Sequence, residues 1–477
     1  MHSAPFKTRF APSPTGLLHL GNIRTALFNV LLAKRHGGVF LLRIEDTDLD
    51  RSHADHSAAL MQDMRWLGLN WQEGEGVGGA HAPYLQSQRG PIYLRYFALL
   101  EQKGLAYPCF CSDQQLSIER KTQLAAGRPP RYSGRCRSLT AARVEERIRA
   151  GESPSLRFRV PSGETVEFED KVRGPQRFAT DDIGDFVIRR STGAPAFFFS
   201  NAIDDALMGV SFALRGEDHL TNTPRQILLL KALALPVPDY GHIALVVGPD
   251  DAPLAKRHGS RTVRELREQG FVPAAINNYL ARLGHTYSDN RFMSLDELAA
   301  GFEVAHLGRA PAHFDETQLL RWQHEAVHRA CDAELWIWMG AAVHALVPER
   351  AWQTFVEAVR ANVGFPADAL KWARVVYSDE WALSAGAHAA ILQAPAGFFS
   401  EALRLVDQHS DDFKSLSEAL KQATGAKGKN LFQPLRAALT GELDGPEMVK
   451  LLPLIGGERV RRRIQFASSE LTVKNEK

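Results

Sequence analysis

Arg9-Phe10-Ala11-Pro12-Ser13-Pro14-Thr15-Gly16, running on into His19-Leu20-Gly21-Asn22, is the stretch on which the fold turns. An extended entry over residues 8–11 meets a turn broken by proline and glycine. Leu20, Ile23, Leu27, Phe28, Leu31 and Leu32 then recur at i, i+3 and i+4 spacing, which predicts one apolar face of a helix. Strand, tight turn and helix start leave unpaired N–H groups and the positive end of the helix dipole above the turn, a seat for an anion. His19 stands at that start, as an anion ligand or as a plain cap. No G-x-x-x-x-G-K-[ST] follows, so the turn is not a glycine-cradled P-loop.

Beyond Gly37-Gly38, residues 39–44 read as a buried strand that delivers Glu45-Asp46-Thr47-Asp48 at its carboxyl end. Strand, helix, strand is the start of a parallel α/β unit, whose ligands lie at the strands' carboxyl ends. A helix over 55–67, a glycine-rich loop over 73–79 and a helix over 88–103 follow. From 108 to 195 the texture changes to short strands (155–160, 165–169, 185–190) among glycine, proline and charge, which predicts an inserted α+β module. Apolar character returns at Phe197, with a helix over 223–235 and a strand over 243–247. After Val263 nearly everything reads as helix, and the texture shifts again between Gly308 and Phe314.

At 477 residues the chain exceeds one hydrophobic core, so about two to four domains are expected. Its 44% hydrophobic and 23% charged content is that of a soluble globular protein. A formal net charge of +2 means that any nucleic-acid partner is met by local basic patches. No apolar run is long enough to span a bilayer and the N-terminus has no signal-like core, so a cytoplasmic protein is expected. Four cysteines make no disulfide framework in such a length; reduced thiols or a metal site are expected.

Three spaced motifs now carry a resemblance. RFAPSPTGLLHLGN resembles the N-terminal signature of bacterial glutamyl-tRNA synthetases, class I aminoacyl-tRNA synthetases, with His19-Leu20-Gly21-Asn22 in the HIGH position. LRGEDHLTNTPRQ resembles that family's central segment, and PLAKRHG occupies its KMSKS position. Weaker similarity runs through HFDETQLLRW and GKGKNLFQPLRAALTG, so the resemblance covers almost the whole chain. It implies a Rossmann-type catalytic domain with an α+β insertion, followed by an all-α C-terminal anticodon-binding domain. The implied divisions are 1–107 and 196–250 for the catalytic halves, 108–195 for an acceptor-binding insertion, 251–309 for the KMSKS-like loop and stem-contact region, and 310–477 for the anticodon-binding domain.

The implied reaction is activation of L-glutamate by ATP with Mg²⁺, then transfer to the 3′ end of tRNA(Glu), tRNA(Gln) or both, by a monomer whose first step needs bound tRNA. Such chemistry positions two anions and absorbs charge at phosphorus. His19 and Lys256 are the expected catalytic groups, and losing a contact of the Lys256 type costs about 2.7–4 kcal/mol of transition-state stabilisation. Pro12, Gly21, Asn22 and Arg257 match ATP-binding positions beside them. The loop departs from the family, with Pro253 in place of its first lysine and Ala255 in place of its serine. Glutamate offers two carboxylates and an ammonium, so its pocket wants arginines and an acid. By resemblance Arg9, Ser13, Glu45, Asn201 and Arg215 match glutamate-binding positions, Arg215 for the side-chain carboxylate and Glu45 for the ammonium; Phe197 stands where relatives carry tyrosine. An ion pair of Arg215 with neighbouring Glu217 or Asp218 is the rival reading.

Cys109, Cys111 and Cys136 supply three thiolates where tetrahedral zinc needs four ligands, and Tyr132 is a fourth seen in a related subfamily. Cys331 is expected in a helical core. Arg128, Arg131, Arg135, Arg137, Lys171 and Arg173 suit a tRNA acceptor end. Lys427, Lys429, Arg436 and the run 459–463 suit an anticodon arm. Two rival activities are the truncated relative that glutamylates queuosine in tRNA, which the Tyr132–Cys136 spacing suggests, and an inactive tRNA-binding paralogue.

Overall fold

β1 (Lys7–Phe10) is buried along its whole length and pairs in parallel with β2 (Val39–Leu42), Arg9 opposite Leu41, while β2 pairs with the short β3 (Glu73–Gly74). This computed structural model describes residues 5–48, 54–254, 261–379 and 381–475. Chain contacts divide it into two compact units, Met1–Leu266 with Ile276–Gln318, and Arg267–Ala275 with Leu319–Lys477.

In the first unit a second sheet has the order β7-β6-β10-β9, formed by β6 (Thr165–Asp170), β7 (Gly174–Ala179), β9 (Phe212–Gly216) and β10 (Asp239–Ile243). β9, β10 and β6 are parallel, with His242 opposite Arg215 and Tyr240 opposite Asp170. The Ser211 N–H donates to Lys7 O at 3.0 Å, which sets the start of β9 beside β1. Strand order therefore reverses between β1 and β9, the crevice where open α/β sheets hold ligands. The helix Leu20–Arg35 follows β1. Leu20, Ile23, Leu27, Phe28, Leu31 and Leu32 are all buried, but so are Arg24, Ala26, Asn29 and Val30; the helix is enclosed rather than one-faced. Helix Leu295–Gly301 is followed by Phe302, whose ring lies 5.2 Å from Phe28.

Within 108–195, a separate antiparallel sheet has the order β4-β5-β8, from β4 (Ala106–Cys109), β5 (Ser155–Phe158) and β8 (Phe186–Arg189). β6 of this segment nevertheless pairs with β10. Leu156, Phe158 and Val166 share a core with Phe199, Ile203 and Tyr240. Residues 243–247 do not form one strand: β10 ends at Ile243, and β11 (Val246–Val247) pairs with β12 (Ala312–His313). The two helices Asp113–Ala125 and Ala141–Arg149 carry no buried residue, so no apolar period announced them.

The second unit is helical around a core that includes Phe355, Trp372, Phe398, Leu435 and Ile464. Trp352 packs against this core and Phe365 meets the Phe271 ring edge-on at 5.0 Å, both structural contacts. Cys331 is not core: it is exposed at the N-cap of helix Asp332–Met339. Arg463 is 3% exposed and donates to the carbonyls of Leu439, Val375 and Ser378, so it holds helices together instead of facing a tRNA. Arg459 and Arg462 pair with Asp379, Arg461 with Asp407, and Arg436 donates to Pro446 O; Lys427 and Lys429 are exposed.

Candidate active site

A cavity of about 700 Å³ opens at the crevice between β1 and β9. Arg9, Pro12, Ser13, His19, Gly21, Asn22, Glu45, Phe197, Asn201 and Arg215 all line it, as does Pro253. Every expected substrate-binding residue within the described residues is thus in one place. Lys256, Arg257 and Ala255 lie outside the described residues.

Position follows from the elements. Arg9 is the third residue of β1, Arg215 the fourth of β9, Glu45 follows β2, and Asn201 lies on helix Phe197–Leu207. His19 is the N-cap of helix Leu20–Arg35, with no side-chain capping bond, so its ring is not consumed by its own helix.

A buried ionic network underlies the cavity floor. Arg43 pairs with Glu45 (3.0 Å), Asp205 (2.8 Å) and Asp204 (3.9 Å), Arg9 with Asp205 (3.2 Å), and Arg89 with Asp204 (2.7 Å). Arg215 joins them, 5% exposed and with no carboxylate among the described residues at ion-pair distance. Burial of unpaired charge is costly unless a ligand or partner balances it. Burial pushes the Glu45 carboxyl up against the opposing pull of Arg43 and Asn201. Asn201 donates to Glu45 Oε1 at 2.7 Å, while Oε2 is buried with no partner among the described residues. Asp205 is held low, since Arg9 and Arg43 outweigh its burial.

Arg215 is not paired with Glu217 or Asp218. Glu217 pairs with Arg173, Asp218 Oδ2 lies 3.6 Å from His219 Nε2, and no carboxylate among the described residues lies within ion-pair distance of Arg215. Its partners are neutral: Asn201 Oδ1 (3.4 Å), Gln226 Oε1 (2.6 Å), Thr223 Oγ1 (2.9 Å) and His242 Nε2 (3.2 Å). Burial lowers its pKa to about 10, so it stays charged at neutral pH. His219, 5.1 Å from the Phe197 ring, is pushed down to about 4 by burial and by Arg215, and is neutral.

Sequence reasoning missed Arg43, Arg89, Asp204 and Asp205. Arg43 had a signal: it interrupts an otherwise apolar strand, where a charge persists only if paired. Asp204 and Asp205 had a weaker one, adjacent acids on a helix that reads as buried.

Around β4, the sulfurs of Cys109, Cys111 and Cys136 lie within 4.8 Å of one another, and Tyr132 Oη lies 3.4 Å and 3.6 Å from Cys109 and Cys111. Zinc–sulfur bonds near 2.3 Å put tetrahedral sulfurs about 3.8 Å apart; Cys111 and Cys136 are 3.7 Å apart. Burial raises the Cys109 thiol, but Tyr132 and Arg157 bring it down to about 7. The donor set fits a zinc ion. Of the basic residues offered for an acceptor end, Arg131, Arg135, Arg137, Lys171 and Arg173 are each engaged by a protein acceptor, Asp185 for Arg137 and Asp239 for Lys171 among them.

Among characterised proteins, residues 5–322 match the family described as tRNA synthetases class I (E and Q), catalytic domain, and residues 341–468 match an anticodon binding domain. A "Glutamate--tRNA ligase 2" of Nitrosococcus oceani is 61% identical over 98% of this chain and 98% of its own. A "Glutamate--tRNA ligase 1" of Methylococcus capsulatus is 54% identical over 96% and 97%. The crystal structure of a glutamate tRNA ligase from Elizabethkingia meningosepticum, in complex with its amino acid, superposes with a TM-score of 0.89 at 27% identity, covering 98% of this chain and all of that one.

Proposed function

The chain belongs to the glutamate–tRNA ligase family of class I tRNA synthetases, and from that premise we propose that the β1–β9 cavity binds glutamate and ATP side by side. The activity is ATP-dependent ligation of L-glutamate to tRNA, and the family uses ATP with Mg²⁺. In the first step the α-carboxylate oxygen of glutamate attacks the α-phosphorus of ATP; the bond to the bridging oxygen breaks and pyrophosphate leaves. In the second, a ribose hydroxyl at the tRNA 3′ end attacks the adenylate carbonyl and AMP leaves.

The observation that carries the reading is Arg215, buried at the cavity among neutral partners. The two carboxylates and one ammonium of glutamate would meet Arg9, Arg215 and Glu45 Oε2 in turn. A buried cation flanked by neutral acceptors is the site a substrate carboxylate can occupy without competition. Ser13 and Asn201 then border the amino acid. His19, with Pro12, Gly21 and Asn22, faces the ATP phosphates at a helix start, where the dipole and N–H groups favour anions. Lys256 and Arg257 follow the leaving pyrophosphate. Phe197 has no hydroxyl, so it contributes shape alone.

We assign Cys109, Cys111, Tyr132 and Cys136 to one structural zinc, which when bound would clamp the start of segment 108–195. That segment is read as facing the acceptor end of tRNA, and the helical unit as facing the anticodon. The helical unit also favours a full tRNA ligase over the truncated queuosine-modifying relative. Among the described residues no helix is long and apolar enough to cross a membrane. Charging of separately purified tRNA(Glu) and tRNA(Gln) tests the reading: glutamate should be esterified to at least one, and transfer only to queuosine-bearing tRNA(Asp) would replace it.

A further inference from the structure

One buried pair has no place in the steps above. Asp170, the last residue of β6, is 1% exposed, and His242, on β10, is 0% exposed. Asp170 Oδ1 accepts the backbone N–H groups of Val172 (3.0 Å), Arg173 (2.8 Å) and His242 (3.2 Å). Its Oδ2 makes a short hydrogen bond with His242 Nδ1. A carboxylate with this set of donors stays ionised, and its pull outweighs the penalty of burial. It therefore takes the Nδ1 proton of His242 as a hydrogen bond and fixes the tautomer. The lone pair of Nε2 is then left to accept, facing both Arg215 Nε–H at 3.2 Å and the Thr223 hydroxyl at 3.0 Å, and Thr223 in turn accepts from Arg215 Nη2.

The strand register brings the three residues together. His242 is directly opposite Arg215 in the parallel β9–β10 pair, and Asp170 joins through the β6–β10 pair beside Tyr240. Both Nη2 protons of Arg215 are taken by Thr223 and Gln226, and among the described residues its one Nη1 acceptor is Asn201 at 3.4 Å. The guanidinium plane is thus locked at Nε and Nη2, and Nη1 remains for the cavity.

We infer that Asp170 and His242 are positioning residues that aim Arg215 at the side-chain carboxylate of the substrate and so set the preference for glutamate over glutamine. The inference rests on the reading that Arg215 receives that carboxylate. Its physical content is a division of charge. An acid placed directly on Arg215 would compete with the substrate. Here the acid stands one ring away, silenced by backbone donors, and only its orienting effect reaches the guanidinium. A carboxamide substrate brings no charge to balance Arg215, and a misaimed Arg215 would tolerate it better.

The test is ATP–pyrophosphate exchange with tRNA present, measuring KM for glutamate, KM for ATP, kcat and the glutamate-to-glutamine ratio. His242→Leu removes the acceptor; His242→Gln returns an acceptor of similar reach. The expected result for His242→Leu is a rise in glutamate KM of about tenfold or more, the scale of a lost hydrogen bond to a charged group. ATP KM and kcat should stay within about twofold, discrimination against glutamine should fall, and His242→Gln should restore most of both. An unchanged glutamate KM, or ATP and glutamate KM rising together without rescue, would overturn the inference. Should His242→Leu fail to fold, Asp170→Asn is judged by the same criteria. Arg215→Met separates the two layers. If it leaves glutamate KM unchanged, the binding reading fails. If it raises that KM while the His242 variants do not, the relay alone fails.

Discussion

At Glu45 a carboxylate is held between Arg43 and Asn201 with one oxygen unsatisfied and its proton affinity raised by burial. A raised pKa means that the buried group protonates before an exposed glutamate would on acidification. Since an ammonium needs the ionised form, KM for glutamate should climb as pH falls, beginning above the ordinary glutamate range of about 4.3. Glu45→Gln should abolish that pH dependence and raise KM for glutamate by about 2–5 kcal/mol, thirtyfold or more, as truncation of a buried charge pair does. A pH series of initial rates with both proteins checks it. Glu45 was legible as an acid delivered at the carboxyl end of a strand, whereas Arg215 was reached through the resemblance of LRGEDHLTNTPRQ to the family's central segment. Asp170 and His242 were not legible: each is ordinary in its own segment, and only the β6–β10 pairing brings them together.

Elements were legible where their periodicity was strong and illegible where burial came from context. The helix from Leu20 showed its period, whereas β10, reading DYGHI, looks like a turn and becomes a strand because it is flanked on both sides by partners. The segment 108–195 read as a separate module because its composition changes, yet β6 completes the catalytic sheet. The cysteine cluster ties β4 to the loop carrying Tyr132 and Cys136, and Arg157 on β5 stacks over the Tyr132 ring at 3.8 Å. Cys109→Ser should lose about one equivalent of bound zinc and lower the thermal midpoint of the segment, while ATP–pyrophosphate exchange survives at low temperature. Elemental analysis of native and variant protein reads the first effect directly; native protein without zinc would remove the assignment.

For the whole molecule, acid sensitivity follows from which groups are buried. His219 and His285 are each pushed down by burial to about 4, from an ordinary 6.5. The unfolded chain therefore takes up protons at these sites before the folded one does, and stability falls as pH drops from 6.5 toward 4. Asp170 and Asp205 are held low, so their contribution is complete above the ordinary aspartate range and is lost only below it. Thermal midpoints should stay level near neutrality, decline below about pH 6.5 and fall steeply below about pH 4. Replacing His285 by Phe should flatten the first decline.

On the proposed function, one cavity, built where strand order reverses, brings glutamate and ATP together with tRNA as the acceptor. ATP–pyrophosphate exchange, run with glutamate, glutamine and aspartate in the presence and absence of purified tRNA(Glu), tests it most directly. The predicted result is exchange with glutamate, dependent on tRNA, and little with the other two. Absence of exchange with glutamate under any tRNA, or equal exchange with glutamine, would contradict it.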